Sequence, residues 1–188
     1  MTTTSADPPG AELDQTANLL GALSLVIADR MADEMAGAGG RPESAAAALS
    51  ALLHFLDAPT IDLLRQVLGL TSSGTVRLVD RLESAGQVRR GAGQDGRSTS
   101  VSLTPAGRAA ADRVADARAR VLTGALAGLT GQERAVLAGL MAKLLAGFVR
   151  GPGATRWLCR LCDVGLCRSA EGGCPVTSAA RARTAPPA

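Results

Sequence analysis

"GLTSSGTVRLVDRLESAGQVRRGAGQDGRSTSVSLT", from Gly69 to Thr104, changes its hydrophobic period partway along. Up to about Ala85, Val76, Val79 and Leu82 recur at three-residue steps, as on one face of a helix. Beyond Gly86 the pattern turns strand-like. Val88 and Arg90 alternate with polar neighbours on one arm, and Thr99, Val101 and Leu103 alternate on the other. Asp95-Gly96 sits between the arms, and glycine accepts the positive φ that a hairpin turn demands. The stretch therefore predicts a helix from about Ser73 to Ala85 followed by a β-hairpin. Just upstream, "APTIDLLRQVLGL" offers Thr60 as an N-cap, Ile61, Leu64, Val67 and Leu68 on one face, and Gly69 as the stop. Two short helices with a glycine turn also fit an ordinary helical hairpin. The adjoining β-hairpin favours a winged helix-turn-helix.

The rest of the chain frames this unit. At 188 residues, 46% hydrophobic but only 2% aromatic, with no Tyr, the protein has the aliphatic composition of packed helices rather than of a β-sandwich. The net charge of +3 permits an anionic partner without requiring one. Residues 1–10 are polar and Pro-rich and are expected to be disordered. An amphipathic helix over about 11–36 carries Leu20, Leu23, Ile27 and Met31, and "GAGGRP" is expected to end it. Glu43 to Leu56 is nearly all apolar, predicting a buried helix in which His54 is a core or edge residue. Thr104 with Pro105 opens an Ala/Arg-rich helix. Thr130 to Glu133 reads as a capping box before a last helix with a wide apolar face, from Val136 to Phe148. The fold class is thus mainly α with a small β-hairpin wing. The winged helix-turn-helix spans about 57–107, flanked by helices over about 11–36 and 104–150. With no signal peptide and no apolar run long enough to span a bilayer, the chain is expected to be cytoplasmic, with no membrane partner.

The chain resembles the MarR family of bacterial transcriptional regulators. The matching passages are "LTSSGTVRLVDRLESAGQVRR", "DGRS" and "VSLTPAGR", in that order and spacing, within about residues 11–150. The resemblance implies a homodimer in which the first helix packs against the last two. That packing would also cover the excess apolar surface of the terminal helices, for which a monomeric helical cap is the alternative. A two-fold dimer presents two recognition helices to double-stranded DNA, so the expected operator is pseudo-palindromic. Ser72 and Ser73, at the helix start, suit phosphate oxygens. Thr75 and Arg77 are the candidates for base edges, and Arg81 for phosphate unless Asp80 or Glu83 holds it. Arg89, Arg90 and Arg97 give the wing its positive charge. Arg97 is the candidate for the minor groove, with Asp95 fixing its direction or serving simply as the turn residue. No catalytic constellation is present, so the chain reads as a repressor rather than an enzyme. A small-molecule effector in the crevice between dimer helices and winged helix fits the same fold.

All four cysteines lie in "CRLCDVGLCRSAEGGC": Cys159, Cys162, Cys167 and Cys174, spaced C-x2-C-x4-C-x6-C. A C-x2-C pair can bring two thiolates onto one metal, and two more complete an all-sulfur shell. Soft ligands of this kind select zinc or an iron–sulfur cluster. Arg156, Arg160 and Arg168 would offset the thiolate charge. The alternatives are a metal-free thiol switch, a structural zinc clip, a protein-docking tail and, more distantly, a thiol oxidoreductase. The segment 151–176 is read as an appendage that senses redox state or metal, and 177–188 as disordered.

Overall fold

The computed structural model describes residues 11–39, 43–93, 96–151, 153–169 and 173–183. Helices α1 (Ala11–Gly39), α2 (Glu43–His54), α3 (Ile61–Leu68) and α4 (Ser72–Ser84) precede a hairpin of β1 (Val88–Ala92) and β2 (Thr99–Leu103). Then come α5 (Pro105–Ala125), α6 (Gly131–Gly147) and three short helices, α7 (Ala154–Leu158), α8 (Val164–Ser169) and α9 (Pro175–Ala182). The predicted fold class, mainly α with a two-stranded wing, is the one observed.

The core sits where α2, α3, α4, the wing and the start of α5 converge. Leu49, Leu64, Val67, Leu78, Val79, Leu82 and Val101 are buried there. Burying an aliphatic side chain of this size contributes about 1.5–3 kcal/mol. The hairpin is antiparallel, pairing Val88 with Leu103 and Arg90 with Val101. Its inner strand is anchored from the other side, because Val101 N–H donates to the Pro59 carbonyl at 2.9 Å. A second apolar cluster, Met35, Ala46, Val114 and Ala117, joins α1, α2 and α5.

Predicted caps are found at four helix ends, formed by Thr60, Gly69, Thr104 and Thr130. Thr60 accepts from Leu63 N–H at 3.1 Å, and Gly69 stops α3 at φ 65°. Thr130 and Glu133 form the full capping box of α6. The strand exit is held by a knot around Thr104. Its hydroxyl donates to the Gly86 carbonyl at 2.6 Å and accepts from Gly107 N–H at 3.0 Å. Gly107 must be glycine here, since a Cβ would lie 1.7 Å from the Gln87 carbonyl oxygen.

Two expectations are corrected. α1 continues through Gly37 and Ala38 to Gly39, because helix-interior glycine costs only about 1 kcal/mol and does not forbid the helix. The expected disorder over 177–188 is corrected for residues 177–183 by α9, in which Pro175 occupies the first turn while Val176 and Ala180, four residues apart, bury against Val149; 184–188 lie outside the described residues. The expectation for residues 1–10 lies outside the described residues. Among the described residues no helix is long and apolar enough to cross a membrane.

Candidate nucleic-acid interface and cysteine cavity

The turn between α3 and α4 places the second helix. Thr71 caps it, accepting from Gly74 N–H at 3.1 Å, and its carbonyl takes the Thr75 hydroxyl at 3.0 Å. That second bond satisfies the Thr75 hydroxyl within its own helix. Thr75 is 0% exposed and joins Leu78, Val79 and Leu82 on the buried face. The expectation that Thr75 projects toward base edges is therefore overturned: a threonine can be buried once its hydroxyl has a backbone acceptor. Val76, assigned by pattern to the apolar face, is instead 43% exposed. The outward face of α4 carries Ser72, Ser73, Val76, Arg77 and Arg81, all exposed.

Arg90 also departs from expectation. It lies half-buried between wing and α4, with its guanidinium paired to Asp80 at 2.5 Å and also to Glu83. Its backbone N–H donates to the Glu83 carboxylate at 3.1 Å. These carboxylates hold the Arg90 pKa above its usual value, Asp80 foremost. Arg90 is a strut joining wing to recognition helix rather than a side chain directed outward. The two acids weighed as competitors for Arg81 are thus engaged elsewhere. At the tip of the wing, Gly96 takes φ 65°, as the Asp-Gly signal predicts, and Arg97 is exposed beside it. Asp95 lies outside the described residues.

The four cysteines converge. They line a cavity of about 470 Å³ together with Phe55 from the α2–α3 junction and Arg181 of α9. All four are free thiols. Cys162 N–H donates to the Cys159 carbonyl at 2.9 Å, the tight turn expected of C-x2-C. The thiol of Cys159 hydrogen-bonds that of Cys162, raising the first pKa and lowering the second to about 6; Arg118 and Arg160 add to the lowering. Burial raises Cys167. For Cys174, burial is outweighed by hydrogen bonds from Thr177 and Val176 at the start of α9, and its pKa falls. Among the described residues, no group of three or more His, Cys, Asp or Glu side chains is arranged to hold a metal ion. Arg156 lines the cavity, whereas the Arg168 side chain lies outside the described residues.

The tail is packed on the body, which pattern reading did not anticipate. Leu161 rests on the cluster joining α1, α2 and α5. Trp157 reaches the helix-turn-helix itself, its Nε1 only 3.6 Å from where a Cβ of Gly69 would stand. Arg160 lies over the Trp157 ring at 5.3 Å. Phe55, Arg118 and Trp157 carry no motif, so only the tertiary fold reveals them.

A capped helix-turn-helix with a two-stranded wing, set between long flanking helices, defines a winged-helix transcriptional regulator. A MarR family transcriptional regulator from Silicibacter pomeroyi is 32% identical, over 67% of this chain and 87% of its own, with a TM-score of 0.53. The chain belongs to the MarR family. A MarR family protein from Bacillus stearothermophilus is similar in fold at 24% identity, over 73% of this chain and 96% of that one, with a TM-score of 0.64. Sco3205, a MarR family regulator from Streptomyces coelicolor solved in complex with DNA, is 20% identical over 78% and 93% of the two chains, with a TM-score of 0.60. No protein-family model matches the chain, and no curated protein matches it in sequence.

Proposed function

We propose that this chain is a homodimeric, sequence-specific DNA-binding repressor. The observation that carries the reading is the outward face of α4, where two serines at a helix start, one valine and two arginines stand exposed beside the Arg97 wing. Free N–H groups and hydroxyls at a helix start suit phosphates, and an arginine pairs bidentately with guanine. Ser72 and Ser73 take the first role, Arg77 the second, and Arg81 a backbone phosphate. Val76 takes the place that pattern assigned to Thr75: an exposed methyl pair on this face suits the 5-methyl of thymine. Arg97 enters the adjoining minor groove.

Dimerisation is supported by surface that the single chain leaves uncovered. Leu19, Leu20, Leu23 and Val26 of α1, and Val136, Leu140 and Leu144 of α6, are all about half exposed or more. Apolar area on this scale marks an interface. A two-fold pair would set the recognition helices about one turn of DNA apart, giving a pseudo-palindromic operator.

The tail supplies regulation in this reading. It rests on Val149, just beyond α6, and on Gly69, at the end of α3, so a change around the cysteines reaches both a dimer helix and the reading head. A regulator needs only a differential preference between two such arrangements. The test is operator selection from random duplexes with the full chain, followed by titration of the selected site. A two-fold symmetric site, bound by a dimer and weakened on the order of tenfold or more by Arg77→Ala, is expected. A monomer, or binding indifferent to Arg77→Ala, overturns the reading.

A further inference from the structure

The four thiols are not held alike. Cys159 closes α7, its N–H donating to the Thr155 carbonyl at 3.0 Å. Asp163 opens α8, its carboxylate accepting from Gly165 N–H at 2.8 Å and from Leu166 N–H at 3.3 Å. Between them runs a single turn from Cys159 to Cys162, closed by the 2.9 Å bond from Cys162 N–H to the Cys159 carbonyl. A turn of this kind holds its first and fourth Cα atoms within about 7 Å. A disulfide spans Cα atoms about 4.4–6.8 Å apart, so the backbone already sets this pair at bonding range. Their thiols hydrogen-bond each other, are free and partly exposed, and line the cavity of about 470 Å³. Cys167 and Cys174 stand on other segments, in α8 and at the start of α9.

Resting on the reading of the tail as a regulatory site, we propose that Cys159 and Cys162 are a redox-active pair, joined reversibly as a disulfide by exchange with a small organic disulfide. One protein thiolate attacks a sulfur of the small disulfide, forming a mixed disulfide and releasing one small thiolate. The other protein thiolate then attacks the protein sulfur of that mixed bond and releases the second small thiolate. The two protein thiols lose two electrons and two protons, and the small disulfide gains both as two small thiols.

The two residues inside the turn carry the consequence. Leu161 rests on the apolar cluster of α1, α2 and α5. Arg160 lies over the Trp157 ring at 5.3 Å and donates to the Trp157 carbonyl at 2.9 Å. Trp157 in turn stands against Gly69, which stops α3 two residues before Thr71, the cap of α4. Closing the bond therefore acts on the residues that hold the tail to the body and to the reading head.

To test this, the full chain is treated with chelator and reductant, freed of both, and equilibrated anaerobically in glutathione buffers of graded oxidised-to-reduced ratio. Free thiols are trapped by alkylation and bonds are mapped by mass spectrometry after trypsin, which cuts after Arg160 and so parts the two cysteines unless a disulfide joins them. The Cys159–Cys162 bond is expected to form first, in one two-electron transition that reverses on raising reduced glutathione, with Trp157 fluorescence changing at the same ratio. Cys159→Ser and Cys162→Ser should each lose the transition, and Cys174→Ser should keep it. A first bond from Cys174 to Cys159 or Cys167 overturns the pair, as do thiols that stay free or carry only glutathione at the most oxidising ratio. A Cys159–Cys162 bond that leaves Trp157 fluorescence unchanged overturns its link to the reading head. These readings need no DNA, so failure of the operator test leaves them standing, and the converse holds.

Discussion

The winged-helix body and the cysteine tail are built on different principles. In the body, Leu49, Leu64, Leu78, Val79 and Val101 bury completely or nearly so, and helix ends are closed by side-chain caps. In the tail, α7, α8 and α9 have five, six and eight residues, and among the described residues of these helices only Val176 and Ala180 are buried. What the tail gathers at its centre is sulfur rather than hydrocarbon. Segments with so little apolar surface are usually organised by a metal, a disulfide or a larger partner. The body should therefore fold by its own core, whereas the tail should owe its order to what the cysteines hold and to the body beneath it.

Substitutions that separate the regions test that contrast. The largest effect belongs to Gly107→Ala. The new Cβ meets the Gln87 carbonyl in a knot that cannot yield cheaply, so a loss of about 4 kcal/mol or failure to fold is expected in denaturant melts. Leu78→Ala, fully inside the core, should cost about 3 kcal/mol by the same measurement. Thr104→Ala, which removes the cap of α5 and the bond to Gly86, should cost about 1–2 kcal/mol. Cys162→Ser should leave the body's unfolding free energy within about 0.5 kcal/mol while changing the fluorescence of Trp157, the single tryptophan. A body that melts with the tail would erase the distinction between the two regions.

Much of the body is legible in sequence because its determinants are local. Thr60, Gly69, Thr104, Pro105 and Thr130 act within one turn of where they stand, and the Asp-Gly turn announces the wing. The rotation of α4 is not legible in the same way. Val76, Val79 and Leu82 make as regular a stripe as Thr75, Leu78, Val79 and Leu82. What separates them is the packing of α4 against α2, α3 and the wing, which apolar spacing does not encode; the Thr71 carbonyl then satisfies the buried Thr75 hydroxyl. Arg90 reads as wing charge until the hairpin register turns it toward Asp80 and Glu83. The docking of Trp157, Leu161 and Phe55 joins residues a hundred apart in sequence, and no spacing rule reaches so far.

Val76 gives the most specific effect. Val76→Ala should leave stability nearly unchanged, since Val76 lies outside the core, yet weaken operator binding by about 1 kcal/mol. Replacing operator thymines with deoxyuridine should produce the same loss in the natural protein at one step and none in Val76→Ala. Equal sensitivity in both proteins would assign the methyl contact to another residue.

In the proposed function, the tail modifies DNA reading from outside the reading head. That role is tested most directly by titrating one selected operator with the same full chain in two tail states, anaerobically isolated and after chelation under reducing conditions. At least a fivefold difference in Kd between the states, absent in the variant with all four cysteines changed to serine, is the predicted result. Identical affinity in both states, with the tail's metal content shown to differ, would contradict it.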